Sequence, residues 1–376
     1  MPQSEQTHSE LSEQLIKDGG SNYIDCLNIS SGGQVLVITD QLDHDVIEID
    51  PNVAIRRRLS GIIASSLSQE HQVEMLMFDH SMSREEILSQ TQTVLQALNQ
   101  ETNIITTIVY MGDAWANRSG IYEAATDFGK SREVRVAGSL GFTTGDCRVM
   151  SQLTSERRAI IAEANNYFET FFANYPEGNF IIETSDEEGN KYTLELDYDT
   201  SQAPFETEMG QFDNQYEEKE GFEYVNIPGG EKFGSPFPFQ ETNGQFIAEG
   251  ICFDAKNGMI VALSASDEIL KKITEPSQKL LMSIIQAGGE IPLSELGLGF
   301  YALAGVETYS DSSVLSREKG GPHAGMGNDP SGESPEAEVM KKLSGDFHHT
   351  DFVMDNPVIT HKDSRGELTH FYPPQE

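Results

Sequence analysis

Residues 33–40, GQVLVITD, form an apolar run the length of one strand, and PNVAIRRRLSGIIASSL soon after it carries apolar positions at helical spacing. The couple returns in VEMLMFD (73–79) before SREEILSQTQTVLQAL, and again in NIITTIVYMG before a helix through Trp115. Ser83 and Glu86 stand at capping-box spacing at the start of the second helix. A fourth strand, REVRVAGS, leads to the amphipathic run SERRAIIAEANNYFETFFAN. Apolar strands alternating with helices bury both faces of a parallel sheet. Residues 30–174 are therefore expected to form an α/β domain with an open, mostly parallel sheet, preceded by a polar extension over residues 1–29.

From Gly178 the period shortens to two. NFIIETS, KYTLELDYD, GQFIAEGICFD and GMIVALSAS alternate apolar and polar positions between Gly, Asn and Asp turns, as antiparallel strands do. Residues 178–376 thus read as a β-rich α+β domain, with its clearest helix in EILKKITEPSQKLLMSIIQAG. Pro176 and Gly178 in NYPEGN mark the boundary. The segment SREKGGPHAGMGNDPSGESPEAE is rich in Gly and Pro and reads as a site loop or a disordered stretch.

Composition narrows the function. The 376 residues suit two domains rather than one core. With 61 acidic against 25 basic residues the net charge is -36, which opposes capture of nucleic acid or an anionic membrane surface. The three cysteines, Cys26, Cys147 and Cys252, show no ligand-like spacing, and the N-terminal residues lack a basic stretch followed by an apolar one. A soluble protein of the reducing cytoplasm is expected. No GxGxxG follows the first strand and no GxxxxGK[ST] occurs, so the α/β domain lacks a phosphate-binding signature.

Candidate chemistry gathers near the C-terminus, where five of the nine histidines lie: His323, His348, His349, His361 and His370. His349 and Asp351 form an H-x-D pair at the start of a strand, so their side chains share a face. His323 stands in GGPHAGMGN among glycines at 320, 321, 325 and 327 that let the backbone bend toward a ligand. Glu231 follows the Pro-Gly-Gly turn of NIPGGEKFGSP, and Glu295 lies in PLSELGLGF. Singly, each has a plain structural explanation: a surface pair, a mobile loop, a solvated turn, a carboxylate at a helix N-terminus. Together they offer two imidazoles and three carboxylates, a set suited to Zn, Co, Mn or Fe(II).

NIPGGEKFGSP, SELGLG, GGPHAGMGN and HTD resemble, in order and spacing, the signature segments of the aminopeptidase T family of metallopeptidases (leucyl aminopeptidase-like, thermophilic metalloproteases). The resemblance implies a homodimeric metallohydrolase with a centre of two divalent metal ions, bridged by carboxylates, on Glu231, Glu295, His323, His349 and Asp351. A metal-bound hydroxide would attack a small or peptide substrate bearing a free amine, with Glu231 shuttling the proton. Peptidases of the family carry a tyrosine seven residues past the first histidine; here that position is Pro330. The chain also resembles the dihydroxypyridine ring-cleaving dioxygenase of the same family, in which His323, His349 and Asp351 would hold Fe(II) as a facial triad. A non-catalytic binding protein on this fold is the third reading. Phe233, Phe237, Phe239 and Tyr301 are candidate walls of the substrate pocket.

Overall fold

The computed structural model describes residues 11–374, apart from 30–31, 42–49, 80–81, 99–104, 113–114, 131–132, 140, 213–222, 274, 330–331, 333, 346 and 348. In chain order the elements are α1 (Glu13–Leu27), β1 (Gln34–Asp40), α2 (Pro51–Leu67), β2 (Gln72–Phe78), α3 (Arg84–Leu98), β3 (Thr106–Met111), α4 (Trp115–Gly129), β4 (Val134–Gly138), α5 (Thr144–Gln152) and α6 (Ser155–Asn174). There follow β5 (Glu177–Ser185), β6 (Lys191–Asp199), β7 (Glu206–Glu208), β8 (Glu223–Asn226), β9 (Glu231–Gly234), β10 (Asn243–Ala248), β11 (Ile251–Lys256) and β12 (Met259–Ser264). The last are α7 (Asp267–Lys272), α8 (Pro276–Gln286), β13 (Ile291–Gly299), α9 (Val314–Glu318), β14 (Pro322–Gly327), α10 (Ala337–Ser344), β15 (His349–Val353), β16 (Val358–Lys362) and β17 (Leu368–Tyr372).

The first five-stranded sheet runs β2-β1-β3-β4-β8 and is parallel throughout. Strand alternation divides its residues between two cores. Val35 and Val37 pack with α1, α2 and α5 residues such as Tyr23, Leu59 and Met150, while Leu36 and Ile38 pack with Ile87, Leu95 and Ile121 of α3 and α4. The N-terminal region is thus an α/β layer structure. Residues 13–27, expected as polar extension, instead form a helix capped by Ser12, whose Tyr23 and Leu27 are fully buried.

The C-terminal region is antiparallel and β-rich. Its sheet runs β15-β14-β13-β12-β11-β10-β6-β5-β16-β17, with β9 added to β13 and β7 to β9. The sheet curls far enough for Ala248 to bridge Met354. Membership does not divide cleanly at residue 176: β8 joins the first sheet beside β4, and one apolar cluster runs from Val35 through Phe168 to Phe253. Pro276 splits the expected helix 268–288 into α7 and α8. Among the described residues no helix is long and apolar enough to cross a membrane.

Candidate metal centre

Four antiparallel strands, β9, β13, β14 and β15, place the candidate residues on one sheet face. Leu296, Leu298, Ala324, Met326 and Phe352 occupy the other face and enter the apolar core. Apolar positions on β13 fall at 291 and 293, then at 296 and 298, a slip of one residue. The slip is a bulge between Leu293 and Glu295, where two β13 residues oppose one on β14. Without it Glu295 would share the core face of Leu293; the bulge turns it to the site.

Opposite each of the five candidates the register sets a glycine. Glu231 faces Gly299, His323 faces Gly297, Glu295 and Asp351 face Gly325, and His349 faces Gly327. The absent side chains make the site's volume. A β-carbon on Gly297 would overlap the Nε2–Cε1 edge of the His323 ring, and one on Gly325 would lie 2.6 Å from His349 Nε2 and 2.7 Å from Glu295 Cβ. On Gly299 it would strike the backbone of residues 318–319, which crosses this face of the sheet. The glycines around His323 were expected to bend a loop. PHAGMG is instead strand β14, and its Gly325 serves by making room.

The side chains converge closely. His323 Nε2 lies 3.1 Å from Glu295 Oε1 and 3.5 Å from Glu231 Oε2. His349 Nε2 lies 3.0 Å from Asp351 Oδ1 and 3.6 Å from Glu295 Oε2. Both imidazoles are oriented by the backbone: His323 Nδ1 bonds Gly321 O at 3.2 Å and His349 Nδ1 bonds Asn328 O at 2.9 Å. Such anchoring leaves Nε2 as the ligand atom, the usual arrangement behind a metal-bound histidine. Glu295, His323 and Asp351 present ligand atoms all within 4.8 Å of one another. Glu231 Oε2 is buried without a hydrogen-bond partner. An anchored pair of imidazoles, converging carboxylates and an orphaned carboxylate oxygen fit a divalent cation.

Titration reflects the crowding of charge. Burial alone would lower the His323 pKa, but its hydrogen bond to Glu295 and the charges of Glu231, Asp351 and Glu295 raise it to about 10. For His349, burial is likewise outweighed, chiefly by Asp351, and the pKa is again raised to about 10. Burial would raise Asp351, yet the His349 charge and hydrogen bond hold it below the ordinary carboxylate range. Glu231 is pushed up to about 7 by burial, against the pull of Lys319 and His323.

No family model, curated protein or solved structure matches this chain.

Two neighbours escaped the sequence reading. Glu318 and Lys319, at the end of α9, are buried beside the candidates. Lys319 Nζ bonds Glu231 Oε1, Glu318 Oε1 at 2.6 Å and Glu208 Oε2 at 3.1 Å. Burial holds the Glu318 carboxyl well above its ordinary pKa, and it hydrogen-bonds Asp351. The signal in the sequence was the Glu-Lys pair just before GGPH, hidden by the apparent loop. The histidine cluster, in turn, divides. His361 lies among Phe171, Tyr175 and Phe180, and His370 bonds Pro373 O, both on the strands at the far end of the sheet. His348 and Pro330 fall outside the described residues. Tyr301 is fully buried and donates to Gly229 O at 3.1 Å, bracing the turn before Glu231, and Phe239 is buried.

Proposed function

We propose that the chain is a metal-dependent hydrolase of the aminopeptidase T type, acting on a small substrate with a free amine. The observation that carries this reading is Glu231: a buried carboxylate whose Oε2 bonds to nothing and points toward His323 at 3.5 Å, beside the Glu295, His323 and Asp351 cluster. An Fe(II) facial triad needs His323, His349 and Asp351 but neither glutamate. Here Glu295 stands inside the cluster and Glu231 beside it.

Glu295, His323, His349 and Asp351 would hold the ion, and Glu231 is placed beside it. A bound divalent cation supplies a water of lowered pKa and polarises the carbonyl to be attacked. The chain's residues do the rest. The Nδ1 bonds to Gly321 and Asn328 fix both rings. Glu231, pushed up to about 7 by burial, can take a proton from the attacking water and return it to the leaving amine near neutral pH. The closed apolar side of the sheet keeps bulk water from behind the cluster. The order of NIPGGE, SELGLG, GGPH and HTD, which resembles that of the aminopeptidase T signature segments, supports the same reading.

The test is a panel of aminoacyl anilides offered to protein loaded with Zn, Co or Mn, beside an oxygen electrode reading the Fe(II)-loaded protein with a dihydroxylated aromatic ring. Anilide hydrolysis that vanishes in His349→Ala is the expected result. Oxygen uptake without hydrolysis would shift the assignment to the ring-cleaving dioxygenase. Metal binding with neither activity would leave a binding protein.

A further inference from the structure

We propose that the Lys319 ammonium fills the second-cation position of this centre, so that the chain holds one divalent ion, on Glu295, His323, His349 and Asp351. The inference rests on the metal reading above and sharpens it. Glu295 reaches both imidazoles, with Oε1 toward His323 and Oε2 toward His349, so a second ion on the His323 side would need Glu231 as its further carboxylate; Glu231 turns Oε2 toward His323, but what its Oε1 meets is Lys319 Nζ.

That ammonium is saturated. It has three N–H donors, and Glu231, Glu318 and Glu208 each take one. Its side chain is fully buried, and its backbone is fixed where it crosses the sheet: Tyr301 N donates to Lys319 O at 2.8 Å, and Gly299 N to Gly321 O at 3.1 Å. Gly299 has no side chain to push this segment away. A second ion would have to take the carboxylates from Lys319 while the ammonium remained enclosed beside it. Like charges set side by side in a buried site repel strongly. Glu231 is thereby kept from a second ion, and its Oε2 is left as the base.

The experiment strips the full chain with chelator, titrates it with Mn(II), and reads bound metal by elemental analysis and by electron paramagnetic resonance. Wild type should bind one Mn(II) per chain with the spectrum of an isolated ion. Lys319→Met should bind two, with an exchange-coupled spectrum, because the emptied carboxylates then need a cation. Two ions per wild-type chain would overturn the inference and leave the hydrolase reading standing. So would a folded Lys319→Met protein that still binds one. Should Lys319→Met fail to fold, the wild-type count decides alone. A folded wild-type chain that binds no Mn(II) overturns the metal reading and this inference together.

Discussion

Gly297→Ala puts a methyl group where His323 now sits. The added carbon would overlap the Nε2–Cε1 edge of the ring, and even Cδ2 would lie only 2.7 Å away, whereas carbon atoms settle at about 3.5–4.0 Å. The imidazole must therefore retreat by about 1 Å or more. It has nowhere to go, since His323 is fully buried between Gly321 O and Glu295. Overpacking of this kind costs about 1–3 kcal/mol of stability. Misplacing an oriented ligand costs about 10–100-fold in metal affinity, or about 1.4–2.7 kcal/mol. Competition against a chromophoric chelator measures the affinity, and thermal melts of metal-free protein measure the stability. Gly61→Ala is the control: it lies in α2 with nothing beyond its own helix backbone within 4 Å of the new carbon, and should gain up to about 1 kcal/mol from helix propensity. A Gly297→Ala protein with wild-type metal affinity and melting temperature would refute the view that absent side chains shape the site.

Other outcomes follow from the same geometry. His323 and His349 have folded pKa values of about 10, above the ordinary 6.5, so in metal-free protein their contribution to stability is full below pH 6.5 and fades as pH rises toward 10. Melting temperature of the metal-free chain should fall across that window, while metal affinity rises because the ion displaces those protons; calorimetry in buffers of different ionisation enthalpy counts them. Glu231→Gln should keep its one ion yet lose about 10²–10⁴-fold in turnover of an aminoacyl anilide. Asp146 accepts from Thr143 N at 2.8 Å at the start of α5 and from Ser313 N at 2.9 Å at the start of α9. Asp146→Ala should cost about 1–3 kcal/mol, visible in thermal melts, and weaken metal binding through the segment that carries Glu318 and Lys319.

Much of this was legible in the residues. Unbroken apolar runs such as QVLVITD gave buried parallel strands, and alternation in KYTLELDYD gave antiparallel ones, because burial on two faces or one writes a different period. The five candidates were readable by chemistry and order, and the structure brings them onto one face. Glu295 could be placed there only through the bulge, whose trace is the single-residue slip between Leu293 and Leu296. Glu318 and Lys319 were not legible: their partners Glu208, Glu231 and Asp351 come from three other strands, and local sequence carries no record of such distant contacts. Nor was β14, where the packing of rings against Gly297 and Gly325 overrides the turn preference of a glycine-rich stretch. α1 was misread because its apolar residues are sparse, with Gly19 and Gly20 packed against Cys147 and Ile62.

X-ray absorption at the zinc edge of the loaded protein addresses the central claim most directly. The account predicts a first shell of nitrogen and oxygen alone at about 2.0–2.2 Å, with outer-shell scattering from two imidazoles that drops to one in His349→Ala. A shell containing sulfur, or one without imidazole, would place the metal elsewhere and contradict the account.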